Sequence, residues 1–400
     1  MDRTIYREIP VTRALWAVGA VLLALIAAGG AAVLYVEHHG HIVTGMTNQV
    51  VWGLPHVFAI FLIVAASGAL NVASMASVFD KTAYKPLSRF SGVLAMALLL
   101  GGLLVLVLDL GRPDRLLVAM TTFNFKSIFA WNIFLYTGFM AIVAVYLWVQ
   151  MSREVHPKWV KPAGTLAFVW RLALTTGTGS IFGWLVARPG YDAAILAPHF
   201  IAMSFALGLA MFLLVLLALG RLGDRKIADA MIDRMVRLLG IFVGVVLYFT
   251  AVQHLTNLYA AEHAGFERFI LRKGGIYTVL FWYLQIGLGG LLPLAMIFTA
   301  PRPMGASRAV LVSGLVIAGG FAQLYIIIIG GQAYPLEMLP GYQITSGFFD
   351  GATAAYVPSL PELLLGLGGV AIALFATGLG AKVLRILPTQ VADHAASTDT

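Results

Sequence analysis

Leu54-Pro55-His56-Val57-Phe58 opens an apolar run that continues to Val78, and 143 residues later Ala197-Pro198-His199-Phe200-Ile201 opens another of the same kind. A run of this length satisfies its own backbone hydrogen bonds as a helix, and about 20 such residues cover the ~30 Å hydrocarbon core of a bilayer. Working outward from the pair, the spans Val51–Val78 and His199–Leu219 are joined by eight more. These are Leu15–Val36, Gly92–Asp109, Ile128–Val149, Thr165–Val186, Leu238–Leu258, Gly275–Thr299, Ala309–Gly331 and Leu363–Leu384. Adding 143 to the third, fourth and fifth spans lands within a few residues of the seventh, eighth and ninth. Four helices is an even number, so the two units keep the same orientation, as in parallel-repeat transporters. The expected fold is an all-α integral membrane protein with ten transmembrane helices. Two parallel-repeat four-helix bundles, 51–187 and 197–333, are flanked by a terminal helix at each end, 15–36 and 361–386, with a polar tail over 391–400.

Composition agrees with this reading. The 400 residues are 60% hydrophobic and 11% charged, against about a quarter charged in an ordinary soluble domain. The first run is too long for a signal-peptide core and lacks a small-residue cleavage site, so it is expected to stay as a membrane helix. The net charge of +8 does not point to nucleic acid, because the basic residues sit in short loops rather than in a cluster interleaved with aromatics. Eighteen Lys and Arg fall on one side of the spans and seven on the other, with Arg171 inside the fifth span. Basic loops stay inside, which places both termini in the cytoplasm of a prokaryotic inner membrane. Arg221–Arg237, with Ile227, Met231, Ile232 and Met235 at helical spacing, is expected to form a short interfacial helix. The absence of cysteine excludes disulfides, thiolate zinc sites, cysteine-ligated iron–sulfur clusters and covalent c-type haem from this chain.

Titratable side chains inside membrane spans are costly and mark function by default. His56 and His199 lie at the outer starts of spans 2 and 6, Asp109 closes span 3 on that side, and Gln253, His254 and Asn257 close span 7. Tyr277, Trp282, Tyr283 and Gln285 open span 8, and Gln332 and Tyr334 leave span 9. Function is expected in the outer leaflet. Several readings stay open at this point: Asp109 paired to Arg112 or Arg115, an aromatic belt for Tyr277, Trp282 and Tyr283, and an interfacial role for His199. His38, His39 and His41 lack the matching ligands of a metal site, so none is expected. Deeper in, Arg171, Thr175, Thr176, Thr178 and Ser180 of span 5 and Ser67, Asn71 and Ser74 of span 2 either satisfy one another across a helix interface or line a hydrated path. A histidine suits proton exchange, and a carboxylate beside it can orient the ring or relay the proton. The competing functions are a secondary transporter, which would place its polar groups at the midplane, and a haem b cytochrome using two of His56, His199 and His254.

The stretch Leu106-Val107-Leu108-Asp109-Leu110-Gly111-Arg112-Pro113-Asp114-Arg115, followed by Asn124, Ser127 and Trp131, resembles the NrfD/PsrC family of polysulfide-reductase-type membrane subunits. Trp52-Gly53-Leu54-Pro55-His56 and Ser67-Gly68-Ala69 fit the same family, and the resemblance covers spans 2 to 9. The ten-span form, with Gly45-Met46-Thr47-Asn48-Gln49 and Gly190-Tyr191-Asp192-Ala193, is similar to its DsrP-like branch, found in dissimilatory sulfur metabolism. The resemblance implies a subunit of a membrane oxidoreductase complex that is not active alone. It implies an exchangeable menaquinone or ubiquinone, no haem or iron–sulfur cluster in this chain, and a docked periplasmic ferredoxin-like iron–sulfur subunit. Further cytochrome and iron–sulfur subunits would complete the assembly. It assigns His56 and Asp109 the catalytic role, and surrounds the quinone with His56, Asp109, Arg112, Ser127, Ser180 and Trp184. The tyrosine often found on the family's fourth helix has no evident counterpart, because Thr175-Thr176-Gly177-Thr178-Gly179-Ser180 stands there.

Overall fold

A computed structural model describes residues 5–152, 154–299, 301–336 and 352–389; the tail expected over 391–400 lies outside them. Ten long helices account for nearly all of it. They are α1 (Arg13–His39), α2 (Leu54–Ser77), α3 (Thr82–Leu108), α4 (Ile128–Met151), α5 (Val160–Gly183), α6 (Leu196–Leu222), α7 (Asp229–Tyr259), α8 (Ile276–Thr299), α9 (Ala306–Ala333) and α10 (Leu360–Val383). Among the described residues, nine of these are long and apolar enough to cross a membrane. The tenth, α5, has the same 24-residue length as α4 but carries Lys161, Arg171 and a run of threonines.

In the first bundle α2 packs on α3 and α5, and α4 on α3 and α5; in the second α6 packs on α7 and α9, and α8 on α7 and α9. The bundles meet where α2 crosses α6. A Cβ on Gly68 would sit 1.6 Å from the Ser204 carbonyl oxygen, and one on Gly208 would sit 2.1 Å from the Gly68 carbonyl carbon. The two backbones therefore touch, which only glycine permits and which membrane helices use to gain close van der Waals packing. The terminal helices do not cap opposite ends. α1 lies along α10 through Gly29 and Gly368, and α10 lies against α3 and α2. Both thus thicken the first bundle.

Helix α2 is interrupted at Leu70 for an identifiable reason. The Ser91 hydroxyl donates to the Ala69 carbonyl at 2.7 Å and accepts from the Ala73 N–H at 3.0 Å. A side chain has replaced one rung of the helix ladder. Close by, Arg171 is fully buried, donates to the Ser67 carbonyl at 3.1 Å and lies over the Phe205 ring at 4.5 Å. Ser67 also meets Thr175 at 3.1 Å. Ser67, Thr175 and one Arg171 nitrogen are paired across the α2–α5 interface, while Arg171 Nε and Nη2 are buried with no partner among the described residues.

The connection between α6 and α7 corrects the sequence reading. There is no separate interfacial helix: α6 runs to Leu222 and α7 begins at Asp229. Met231, Ile232 and Met235 are buried in the core, so the helical spacing reports the first turns of α7. Hydropathy placed that start too late because charged residues alternate with the buried ones. On this face, β1 (Tyr6–Arg7) pairs antiparallel with β2 (Leu387–Pro388). The Arg225 guanidinium donates to the carbonyls of Arg7, Glu8, Leu387 and Pro388 at 2.7 to 2.9 Å. Both ends of the described chain therefore share one face with the α6–α7 connection.

Candidate functional site

The opposite face holds the site, and its position is set at the start of α2. A helix start leaves N–H groups without partners, and here other helices supply them. The Leu54 N–H donates to Tyr356 Oη at 2.7 Å, and that hydroxyl donates to Glu362 Oε1 at 2.6 Å. Glu362, buried at the start of α10, also accepts from the Gly45 and Ser359 N–H groups. Just before the helix, the Val51 and Trp52 N–H groups donate to Gln332 Oε1 of α9 at 2.9 and 3.0 Å, and Gln332 Nε2 donates back to the Trp52 carbonyl. Arg188 clamps the same corner through the carbonyls of Gln332 and Gln49. Tyr191, in the Gly190–Ala193 stretch, donates to the Ile328 carbonyl at 2.7 Å. The segment entering α2 is thus fixed from three directions, and His56 follows one residue after Pro55.

His56 Nδ1 lies 2.7 Å from Asp109 Oδ2, with the carboxylate nearly buried and the imidazole 16% exposed. The two atoms are in polar contact, although their alignment falls short of a regular hydrogen bond. Asp109 stands at the end of α3, where its carbonyl also meets His41 Nε2 at 3.2 Å. The pairing settles one open reading: Arg112 bonds Asp114 instead, two residues away, at 3.0 Å. That guanidinium holds the Asp114 carboxyl below the usual carboxylate range.

His56 lines a cavity of about 380 Å³ walled by α2, α3, α4 and α5 and roofed by the short helix Leu116–Thr121. The wall is mainly apolar, with Ile60, Leu103, Leu106, Ile133 and Phe129 among its members. Trp52 lies along His56 with ring planes 27° apart and meets Phe182 edge-on. Polar side chains are few: His56, Asn132, Tyr136 and Thr137. Asn132 Nδ2 donates to the Ile128 and Gly177 carbonyls at 2.9 and 3.0 Å, and Tyr136 Oη meets Thr178 Oγ1 at 3.2 Å. A largely apolar cleft with a few convergent polar groups is the usual form of a site for a small organic ligand.

Of the residues singled out from the sequence, His56 lines the cavity, and Asp109 meets its Nδ1 from behind, outside the lining. The other four do not line it. Arg112 is exposed, Ser127 precedes the first turn of α4, and Trp184 ends α5 at 61% exposure. Ser180 is buried, and its hydroxyl has no partner among the described residues. Asn132 and Tyr136 were not anticipated. Their signal was present, since residues four apart on a helix share a face, but Trp131 drew the reading one position aside. Its indole in fact donates to the Phe125 carbonyl at the rim.

The second bundle repeats the frame with different chemistry. His199, buried, has Gln253 Oε1 at 3.1 Å from Nδ1, and Gln323 Nε2 and Thr250 Oγ1 at 2.9 and 3.3 Å from Nε2. With both ring nitrogens engaged by protein groups, it is poorly placed to ligate haem. Below it Thr250, Gln285 and Gln323 border a cavity of about 30 Å³, the room of roughly one water. Farther out His254 Nδ1 lies 2.7 Å from Glu267 Oε2, and Asn257 donates to the same wholly buried carboxylate. Glu267 was not foreseen, because it stands in a loop of the sequence rather than in a span.

A ten-helix membrane protein with a largely apolar cavity walled by one four-helix bundle, and a histidine on that wall backed by a carboxylate, is the class these features define. Residues 42–335 match the family described as polysulphide reductase, NrfD, and the chain belongs to that family. It is 30% identical over 364 residues to the Hdr-like menaquinol oxidoreductase integral membrane subunit of Archaeoglobus fulgidus, a match covering 90% of this chain and 91% of the relative. It is 24% identical to one of the subunits of selenate reductase from Mesobacillus selenatarsenatis, over 89% of this chain and 91% of the relative. A polypeptide of the polysulfide reductase of Wolinella succinogenes is also 24% identical, over 72% of this chain and 96% of its own length.

Proposed function

We propose that this chain is the quinol-reactive membrane subunit of an electron-transfer oxidoreductase complex, with the first-bundle cavity as its ring site. The observation that carries the proposal is His56 on the wall of a cavity of about 380 Å³, with the Asp109 carboxylate 2.7 Å behind it at Nδ1. The relatives support it, being an integral membrane subunit of a menaquinol oxidoreductase and components of selenate and polysulfide reductases. Oxidation of a quinol to its quinone releases two electrons and two protons. His56 Nε2 is the ring nitrogen left free by Asp109, and it accepts a proton at the ring oxygen; Asp109 orients the imidazole and stabilises its charged form. Trp52, Phe129 and Phe182 enclose the ring, and the apolar wall of α3 and α4 receives the tail. Ring contacts fall to His56, Asn132 and Tyr136 ahead of Arg112, Ser127 and Trp184.

The electrons must leave through a partner, since a chain without cysteine holds no thiolate-ligated cluster. A periplasmic ferredoxin-like iron–sulfur subunit docked over the Leu116–Thr121 helix would be nearest, with further cytochrome and iron–sulfur subunits beyond it. The charge bias between loops puts the β1–β2 face and both termini in the cytoplasm, and therefore the site on the periplasmic side. The ten-span form supports placement in the DsrP-like branch and a role in sulfur metabolism, with menaquinone or ubiquinone as the carrier. The test is His56→Ala in the intact complex, with assembly verified and lipid-soluble quinone extracted and identified. Turnover with quinol should fall at least ~100-fold. Unchanged turnover in an assembled complex would refute the assignment.

A further inference from the structure

Behind the contact between His56 and Asp109 lies a second, much smaller space. It measures about 10 Å³, sits between α1, α2, α3 and α10, and is bordered by Asp109, which does not line the ring cavity. That is close to the least volume that holds one water. The side chains around it are apolar except for Thr44, Asp109 and Glu362. The Thr44 hydroxyl donates to the His41 carbonyl at 2.6 Å, so its hydrogen serves neither carboxylate. Glu362, 2% exposed, accepts from Tyr356 Oη, the Ser359 N–H and the Gly45 N–H at 2.6 to 2.8 Å. A carboxylate offers about four lone-pair sites, so Glu362 keeps one. Asp109, 8% exposed, has His56 Nδ1 beside Oδ2, and neither of its oxygens accepts a regular hydrogen bond among the described residues. A buried carboxylate without a donor is costly.

We infer that one water in this space donates a hydrogen to each carboxylate, and that Glu362 is thereby a positioning residue for His56. Water is the neutral group of that size with two hydrogens to give, and two acceptors await them. The bridge ties Asp109, at the end of α3, to a carboxylate that three donors already fix at the start of α10. It so holds Oδ2 against the imidazole, in the way that outer partners orient a working histidine. Ala32, Val36 and Glu362 lie outside residues 42–335, the stretch that matches the family. The support therefore comes from the two terminal helices, and both pack on the first bundle, where the reacting histidine stands. Its consequence for turnover rests on the reading of the larger cavity as the ring site.

The experiment is solid-state NMR of the full chain in lipid bilayers with nitrogen-labelled histidine, the His56 signals being assigned by their loss in His56→Ala. Ala32→Val fills the space without altering either carboxylate, and Glu362→Gln removes one of them. Both should move the His56 ring-nitrogen resonances. Tyr356→Phe, which cuts the link to the Leu54 N–H and leaves the space unchanged, should move them less. Gly30→Val, at a position with nothing within 4 Å, should not move them. In the assembled complex Ala32→Val and Glu362→Gln should each lower quinol turnover about tenfold with KM little changed. Unmoved His56 signals in Ala32→Val overturn the bridge, and that variant decides the matter even where Glu362→Gln fails to fold. Equal shifts from Tyr356→Phe and Glu362→Gln also overturn it, since the effect then runs through the start of α2. Signals that depend on sodium in the buffer overturn it in favour of a bound cation. Should the resonances move as expected while His56→Ala turns over normally, the bridge stands and the ring site falls.

Discussion

The two four-helix bundles share a frame and differ in what surrounds one histidine. His56 and His199 stand 143 residues apart at matching places on α2 and α6. In the first bundle the partner is a carboxylate, Asp109, and the neighbouring space is a cavity of about 380 Å³. In the second the partners are Gln253, Thr250 and Gln323, and the space shrinks to about 30 Å³. Residue 323 is also 143 beyond Ser180. Where the second bundle extends a long amide onto His199 Nε2, the first has a short hydroxyl that reaches no partner among the described residues. A repeated scaffold has thus been divided between work and support. On the proposed function, a carboxylate partner and an open neighbouring space suit His56 to reaction, while neutral partners and a filled neighbour suit His199 to a structural part. Among the described residues the π-helical stretches, Leu280–Leu291 of α8 and Ile326–Gly330 of α9 included, also fall in the second half.

The severest challenge to this contrast is to part the bundles. Gly68→Val would drive a branched side chain into the Ser204 carbonyl, and no monodisperse protein should survive detergent size-exclusion. Gly19→Val, at a position with nothing within 4 Å, should elute as wild type. Next in size is the histidine pair itself. Where His56→Ala lowers quinol turnover at least ~100-fold, His199→Ala should leave turnover of the folded fraction within about threefold. Its cost should appear instead in thermal unfolding, at roughly 1–3 kcal/mol for the groups left unpaired. Equal losses of turnover in the two variants would end the division of labour between the bundles.

A finer test is Asp109→Asn, which keeps the shape and removes the charge. The amide can donate to Nδ1 and so place the ring hydrogen on Nε2, facing the cavity. Turnover should fall roughly 10–100-fold, the scale on which histidine-orienting partners act, with assembly intact. The smallest effect is expected from Gln323→Ser, which copies residue 180 into the second bundle. It should lower the melting temperature by a few degrees and leave turnover unchanged, because the space it opens has no carboxylate beside its histidine.

How much of this was legible beforehand follows from where the chemistry lies along the chain. Ten spans, their packing and the placement of His56 and Asp109 at helix ends on the face opposite the β1–β2 pair could be read directly, because helix period and apolar length leave a continuous signal. The Asp109 partner could not be read, since Arg112 and Arg115 are nearer in sequence than His56 and only the α2–α3 packing brings the imidazole closer. Asn132 and Tyr136 were obscured because an amide and a phenol in an aromatic-rich helix resemble ordinary interface residues. The sequence repeat concealed the contrast between the bundles: it aligned the histidines, whereas their partners come from α3, α7 and α9. The start of α7 failed for a simpler reason, as buried methionines between surface charges look like a helix lying on the membrane.

Arg225, finally, constrains the order in which the protein can be made. Tyr6 and Arg7 leave the ribosome well before Arg225, and Leu387 and Pro388 well after it. The guanidinium that clasps both strands therefore holds acceptors from β1 alone until β2 has followed. Strand β1 must wait beside the membrane through the insertion of all ten helices, and the clasp closes only once β2 has emerged.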